Sequence, residues 1–137
     1  MAPPPSRPPF SLLIVEDDPA ASDILARMIG LEFPGCTIYR ADNGVQGLEL
    51  FKELAPDIII TDVNLPKLDG SEMVREIRAL DADATYIVLT AFSDSAISDR
   101  FGETGASPCA YLLKPIDFVK LFAAIERCCS ERTGPKG

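Results

Sequence analysis

Five short apolar runs, separated by segments whose apolar residues recur at helical spacing, leave this chain few folds to choose from. The runs are SLLIV (11–15), CTIYRA (36–41), DIIIT (57–61), TYIVLT (85–90) and AYLLK (110–114). Most are nearly uniformly apolar, as expected of strands covered on both faces. Asp18 and Pro19 form an N-cap and first-turn pair. In the helix they open, Ala21, Ile24, Leu25 and Met28 share one face, and Gly30 is placed to stop it. Val45, Leu48 and Phe51 mark a second amphipathic segment, Val45 to Leu54. Met73, Val74, Ile77 and Leu80 form the stripe of the next helix, and Phe118, Leu121, Phe122 and Ile125 that of the last. The stretch from Ser93 to Ser107 is patterned least, with Ile97 and Phe101 its only evident core anchors. Five strand–helix units in succession predict an α/β three-layer sandwich, a parallel sheet with helices on both sides. The expected strand order is flavodoxin-like, 2-1-3-4-5.

Composition narrows the class. At 137 residues the chain fits one domain with one buried core. A net charge of −8 argues against unspecific binding to nucleic acid or anionic membranes. There is no histidine and no C-x-x-C pair, which argues against a zinc site. Cys36, Cys109, Cys128 and Cys129 read as free thiols of a reducing cytoplasm. No apolar run approaches a secretory h-region or a membrane span, so the expected location is cytoplasmic. Residues 1–9, half of them proline, are expected as a disordered or polyproline II tail, 10–131 as the domain, and 132–137 as a polar tail.

In such sheets ligands bind at the carboxyl ends of the strands. There the sequence sets Glu16 and Asp17 after strand one, Asp62 after strand three, Thr90 at the end of strand four and Lys114 at the end of strand five. Crowded together, the three carboxylates repel, and one ammonium offsets only one of them. Oxygen ligands of this kind suit Mg²⁺. A phosphoryl group can then approach an otherwise acidic pocket, with Asp62 as nucleophile forming an acyl phosphate. Lys114 and Thr90 are placed to meet the transferred oxygens.

Taken in order, LLIVEDDP, IIITDVNLPKLDG, YIVLTAFSD and YLLKPID resemble the receiver domain of two-component response regulators, over roughly residues 10–131. The interval of 28 residues from Asp62 to Thr90 suits that family, and 24 residues separate Thr90 from Lys114. The resemblance implies a phosphorylation switch rather than a turnover enzyme, with slow autodephosphorylation. Asp62 would accept the group from a phosphohistidine on a sensor histidine kinase or histidine phosphotransfer protein. Asp17 would hold Mg²⁺ directly, Glu16 through a water, and Asn64 through its main-chain carbonyl. Thr90 would bind the phosphoryl group and be drawn inward, with the Tyr111 rotamer following. The Lys114–Pro115 peptide would be cis. The output surface would be helix four, strand five and helix five, acting on an unidentified protein target.

Two features depart from the commonest pattern. Glu16 stands where aspartate is more frequent, and the stretch between Thr90 and Lys114 looks about two residues longer than usual. The signalling surface is therefore expected to be unusual, and its partner is not given by analogy. Three other functions fit less well. A scaffold that signals without phosphorylation would be favoured by loss of Asp62, Asp17 or Lys114, and all three are present. A phosphohydrolase of the haloacid dehalogenase kind wants a second aspartate where Asn64 stands, and an amide cannot serve as general acid. A flavodoxin's phosphate loop is replaced here by acids. With about six residues after the last helix, no DNA-binding module is expected within this chain.

Overall fold

The computed structural model describes residues 10–81, 83–91 and 110–133. The elements are β1 (Ser11–Val15), α1 (Pro19–Glu32), β2 (Thr37–Ala41), α2 (Gly44–Leu54), β3 (Ile58–Asp62), α3 (Gly70–Leu80), β4 (Thr85–Thr90), β5 (Ala110–Leu113) and α4 (Phe118–Thr133). Helix α4 is the fifth helix of the sequence reading. The segment expected as helix four, with Ile97 and Phe101, lies outside the described residues, as do residues 1–9. The strands form one sheet in the order β2-β1-β3-β4-β5, with every pair parallel. This is the flavodoxin-like order that the sequence predicts.

Successive side chains of a strand point to opposite faces, and the two faces here are covered by different helices. Leu13, Val15, Ile59, Tyr86 and Val88 pack with Leu48 and Phe51 of α2 and Met73, Val74 and Ile77 of α3. Leu12, Ile14, Ile58, Ile60, Ile87 and Leu89 pack with Leu25 and Ile29 of α1 and Leu121, Ala124, Ile125 and Cys128 of α4. Each such apolar side chain contributes about 1.5–3 kcal/mol when fully buried. A central strand such as β3 can thus use an apolar residue at every position from Ile58 to Ile60. An aromatic row, Phe10–Phe33–Phe122–Phe118, runs along the α1/α4 side, with ring centroids 5.7, 5.9 and 6.0 Å apart in turn.

Several local expectations are corrected. In α1 the buried positions are Ser22, Leu25 and Ile29, whereas Ile24 is 51% exposed. Positions 22, 25 and 29 share one stripe, and Ile24 sits about 100° from Leu25 around the helix. Gly30 does not stop α1, which continues to Glu32 and closes when the Phe33 N–H donates to the Ile29 carbonyl at 2.8 Å. The stop comes from Pro34, which disfavours helical dihedrals in the residue before it; Phe33 has φ −125° and ψ 73°. Val45 and Leu80 are likewise exposed, the first beside a stripe of Gly44, Gly47, Leu48 and Phe51, the second at the last residue of α3. The expected cap on α1 is present: Asp18 Oδ1 accepts from the Ala20 N–H at 3.1 Å, with Pro19 in the first turn.

Sulfur chemistry also differs from expectation. Cys128 is disulfide-bonded. Among the described cysteines, Cys36 and Cys129 are thiols. The reading of four thiols from spacing fails because a disulfide depends on proximity in the fold, which spacing does not give. Among the described residues no helix is long and apolar enough to cross a membrane.

Candidate functional site

Parallel strands in register bring their carboxyl ends to one pole of the sheet. Val15 is level with Ala41 and Thr61, Asp62 with Leu89, and Thr90 with Leu113. The residues just beyond those positions therefore converge. One carboxylate oxygen from each of Glu16, Asp17 and Asp62 lies within 4.8 Å of the others. Lys114 Nζ donates to Asp62 Oδ2 at 2.6 Å and to Glu16 Oε2 at 3.2 Å. The Lys114 backbone N–H donates to the Thr90 carbonyl at 2.8 Å, which carries the sheet's pairing one residue past β5. The Lys114–Pro115 peptide is cis.

Exposure divides the cluster. The Glu16 side chain is 2% exposed, that of Asp62 13% and that of Lys114 31%, while Asp17 stands open to solvent. Burial pushes the Glu16 carboxyl above its ordinary range, and the negative charge of Asp62 pushes it the same way. The Asp18 N–H and Lys114 pull it back only in part. For Lys114, burial works against the charge, yet the hydrogen bond and attraction of Asp62, with those of Glu16, leave it above its ordinary value. Both effects describe one site: excess negative charge in a partly dry pocket.

Main-chain groups complete it. The Val63 N–H donates to Asp62 Oδ1 at 2.7 Å, and Thr61 Oγ1 donates to the Asp62 carbonyl at 2.8 Å. The Asp18 N–H donates to Glu16 Oε1 at 3.2 Å, so both Glu16 oxygens are engaged. Behind β3 the loop turns tightly. The Leu68 N–H reaches the Pro66 carbonyl around Lys67, whose φ of 69° is left-handed, and the Gly70 N–H returns to the Val63 carbonyl at 2.9 Å. Only glycine fits at position 70, where a Cβ would come 2.3 Å from the Asp62 carbonyl oxygen.

Of the residues singled out in the sequence, Glu16 and Asp62 meet Lys114 directly, and Asp17 brings a carboxylate oxygen within 4.8 Å of theirs. Thr90 is buried at the end of β4. Tyr111 lies on the sheet face it shares with Val88 and is 39% exposed. Asn64 is exposed in the loop two residues past Asp62. Sequence reasoning missed the Val63 and Asp18 N–H donors, for which no side-chain signal exists, and the close approach at Gly70, signalled only by the glycine itself. Three carboxylate oxygens this close, with one ammonium between two of them, are a hard-donor set that fits Mg²⁺.

The family described as the response regulator receiver domain matches residues 12–126. The chain is 35% identical over 127 residues to the response regulator MprA of Mycobacterium sp. (strain KMS), a match that covers 93% of this chain and 53% of that protein. It thus spans about half the length of the curated relatives it matches. Among solved structures it is similar to the N-terminal domain of an uncharacterized protein from Wolinella succinogenes, at TM-score 0.80 and 36% identity, covering 90% of this chain and 96% of that one. It is also similar to the signal receiver domain of a signal transduction histidine kinase from Syntrophus aciditrophicus, at TM-score 0.79 and 28% identity, covering 93% and 96%. With five parallel strands in the order 2-1-3-4-5 and an acidic pocket at their carboxyl ends, the chain belongs to the receiver domains of two-component response regulators, regulatory phosphoacceptor domains that act with histidine kinases in phosphorylation-based signalling.

Proposed function

We propose that Asp62 is the phosphoacceptor of a switch loaded by a phosphohistidine on a histidine kinase or histidine phosphotransfer protein. The observation that carries this reading is the Lys114 ammonium bridging Asp62 and Glu16 at 2.6 and 3.2 Å, inside the three-carboxylate cluster. An Asp62 oxygen attacks phosphorus, the P–N bond of the donor breaks, and its electron pair stays on the imidazole nitrogen. The Val63 N–H and Lys114 hold the Asp62 carboxylate in one orientation before attack. Lys114 and Thr90 then meet the transferred oxygens, and Tyr111 follows the movement of Thr90. Asp17, Asp62 and the Asn64 carbonyl would hold Mg²⁺, with Glu16 acting through a water, and the bound ion would neutralise charge on the phosphoryl oxygens.

Output would run through the face built from the segment before β5, β5 itself and α4, toward a protein partner rather than nucleic acid or membrane. The acyl phosphate would hydrolyse slowly on its own, without turnover of a substrate. Residues 10–131 would form the receiver unit, with 1–9 and 132–137 as tails, in the cytoplasm. The test is intact mass after incubation with acetyl phosphate and Mg²⁺. Wild type and Tyr111→Ala should gain one phosphoryl group and Asp62→Asn none, all three folded by circular dichroism. Equal labelling of wild type and Asp62→Asn would sink the assignment.

A further inference from the structure

The start of α2 meets the loop behind β3 more closely than a side chain would allow. A Cβ on Gly44, the first residue of α2, would fall on the Leu68 carbonyl oxygen, with the Leu68 carbonyl carbon 2.7 Å and its Cβ 2.8 Å away. The Gly44 N–H donates to the Pro66 carbonyl at 3.4 Å, and the Leu68 N–H donates to the same oxygen at 2.8 Å. The first turn of α2 is capped without help from that loop. The Gln46 N–H donates to Asn43 Oδ1 at 2.8 Å, and the Asp42 N–H donates to Gln46 Oε1 at 3.0 Å. Leu48 and Phe51 fasten the same helix into the core layer, against which Leu65 and Leu68 of the loop also pack. The turn from Pro66 to Leu68 therefore rests on a fixed surface. Upstream, the Val63 carbonyl is held by the Gly70 N–H at 2.9 Å. Between the anchored carbonyls of Val63 and Pro66 stand only Asn64 and Leu65, too short a span to take its own course.

We infer that Gly44 is a positioning residue for the cation: its lack of a side chain lets the Pro66–Leu68 turn seat on α2, and that seat sets the Asn64 main-chain carbonyl. The inference rests on the reading of the pocket as a Mg²⁺-dependent phosphoacceptor site. A methyl group at position 44 drives the turn off α2 and carries the Asn64 carbonyl with it. No rotamer relieves the clash, because the nearest obstructing atoms are the Leu68 carbonyl group. Glu16, Asp17 and Lys114 hang from other strand ends and keep their places. Misplacing one ligand by way of its support weakens metal binding about tenfold.

The test follows backbone amide shifts of the full chain by NMR as MgCl₂ is added, without a phosphodonor. Wild type, Gly44→Ala and Leu25→Ala are compared. Leu25 packs in the α1/α4 layer on the other face of the sheet, so its variant loses stability without touching the loop. Gly44→Ala should bind Mg²⁺ about tenfold more weakly than wild type, and Leu25→Ala as tightly as wild type. By reciprocity, Mg²⁺ on wild type should slow exchange of the Gly44 amide more than that of Gly47, whose N–H donates to the Asn43 carbonyl within α2. That measurement decides the matter should Gly44→Ala fail to fold. Equal affinity in Gly44→Ala and wild type, equal weakening in both variants, or a Gly44 amide that responds no more than Gly47 would each overturn the inference and leave the reading of the pocket standing. A wild type that takes up no Mg²⁺ would overturn both.

Discussion

In Gly70→Ala, a methyl group on the existing backbone would lie 2.3 Å from the Asp62 carbonyl oxygen, 3.0 Å from the Val63 carbonyl oxygen and 3.2 Å from Val63 Cα. Close C···O contacts settle near ~3.3 Å, so the shortest approach must open by about 1 Å. All three neighbours are backbone, and no side-chain rotation relieves them. Overpacking of this kind costs roughly 1–3 kcal/mol. Losing the 2.9 Å bond from the Gly70 N–H to the Val63 carbonyl adds about 1 kcal/mol. Alanine's better helix propensity and its stiffer unfolded chain return up to about 1 kcal/mol. The net expectation is a loss of about 2 kcal/mol, or roughly 6–8 °C in Tm for a chain of this size. Urea unfolding followed by far-ultraviolet circular dichroism measures it, with acetyl phosphate labelling alongside. Labelling should slow as well, because the displaced atoms belong to Asp62 and to Val63, whose N–H orients the Asp62 carboxylate. A variant as stable as wild type that labels at the same rate would refute the idea that this close approach shapes the pocket.

Gly30→Ala should act in the opposite sense, raising stability by about 0.5–1 kcal/mol in the same urea titration, since Gly30 lies inside α1 and an added Cβ would meet Ile38 Cδ1 at an ordinary 3.8 Å. Were Gly30 a left-handed helix stop, the substitution would destabilise instead. Leu25→Ala should cost about 2–5 kcal/mol, against less than about 0.5 kcal/mol for Ile24→Ala. Equal losses at the two positions would show that the buried face of α1 is misassigned.

The strands and their order were legible because a sheet covered on both sides demands apolar residues at nearly every central position, and β1, β3 and β4 supply them. The charged site was legible for a related reason: Glu16, Asp62 and Lys114 interrupt or end apolar runs where a buried strand has no use for charge. Helix faces were read less well. Ile24 and Leu25 are equally apolar, and only the packing of α1 against the sheet decides which is buried. Gly30 misled because glycine both stops helices and sits within them, whereas the stop belonged to Pro34. Peptide N–H groups such as those of Val63 and Asp18 look alike in any sequence, and the disulfide at Cys128 depends on proximity that residue spacing does not encode.

The Lys114 ammonium meets Glu16 across 98 residues of chain and Asp62 across 52. No local segment, and no single strand–helix unit, contains the pocket. A nascent chain cannot present it until β5 has emerged and taken its place beside β4, so chemical competence arrives with the last strand and not before. On the reading of Asp62 as phosphoacceptor, a partly folded copy would have no assembled pocket with which to draw phosphoryl groups from a kinase, and completed folding would be a precondition for receiving a signal.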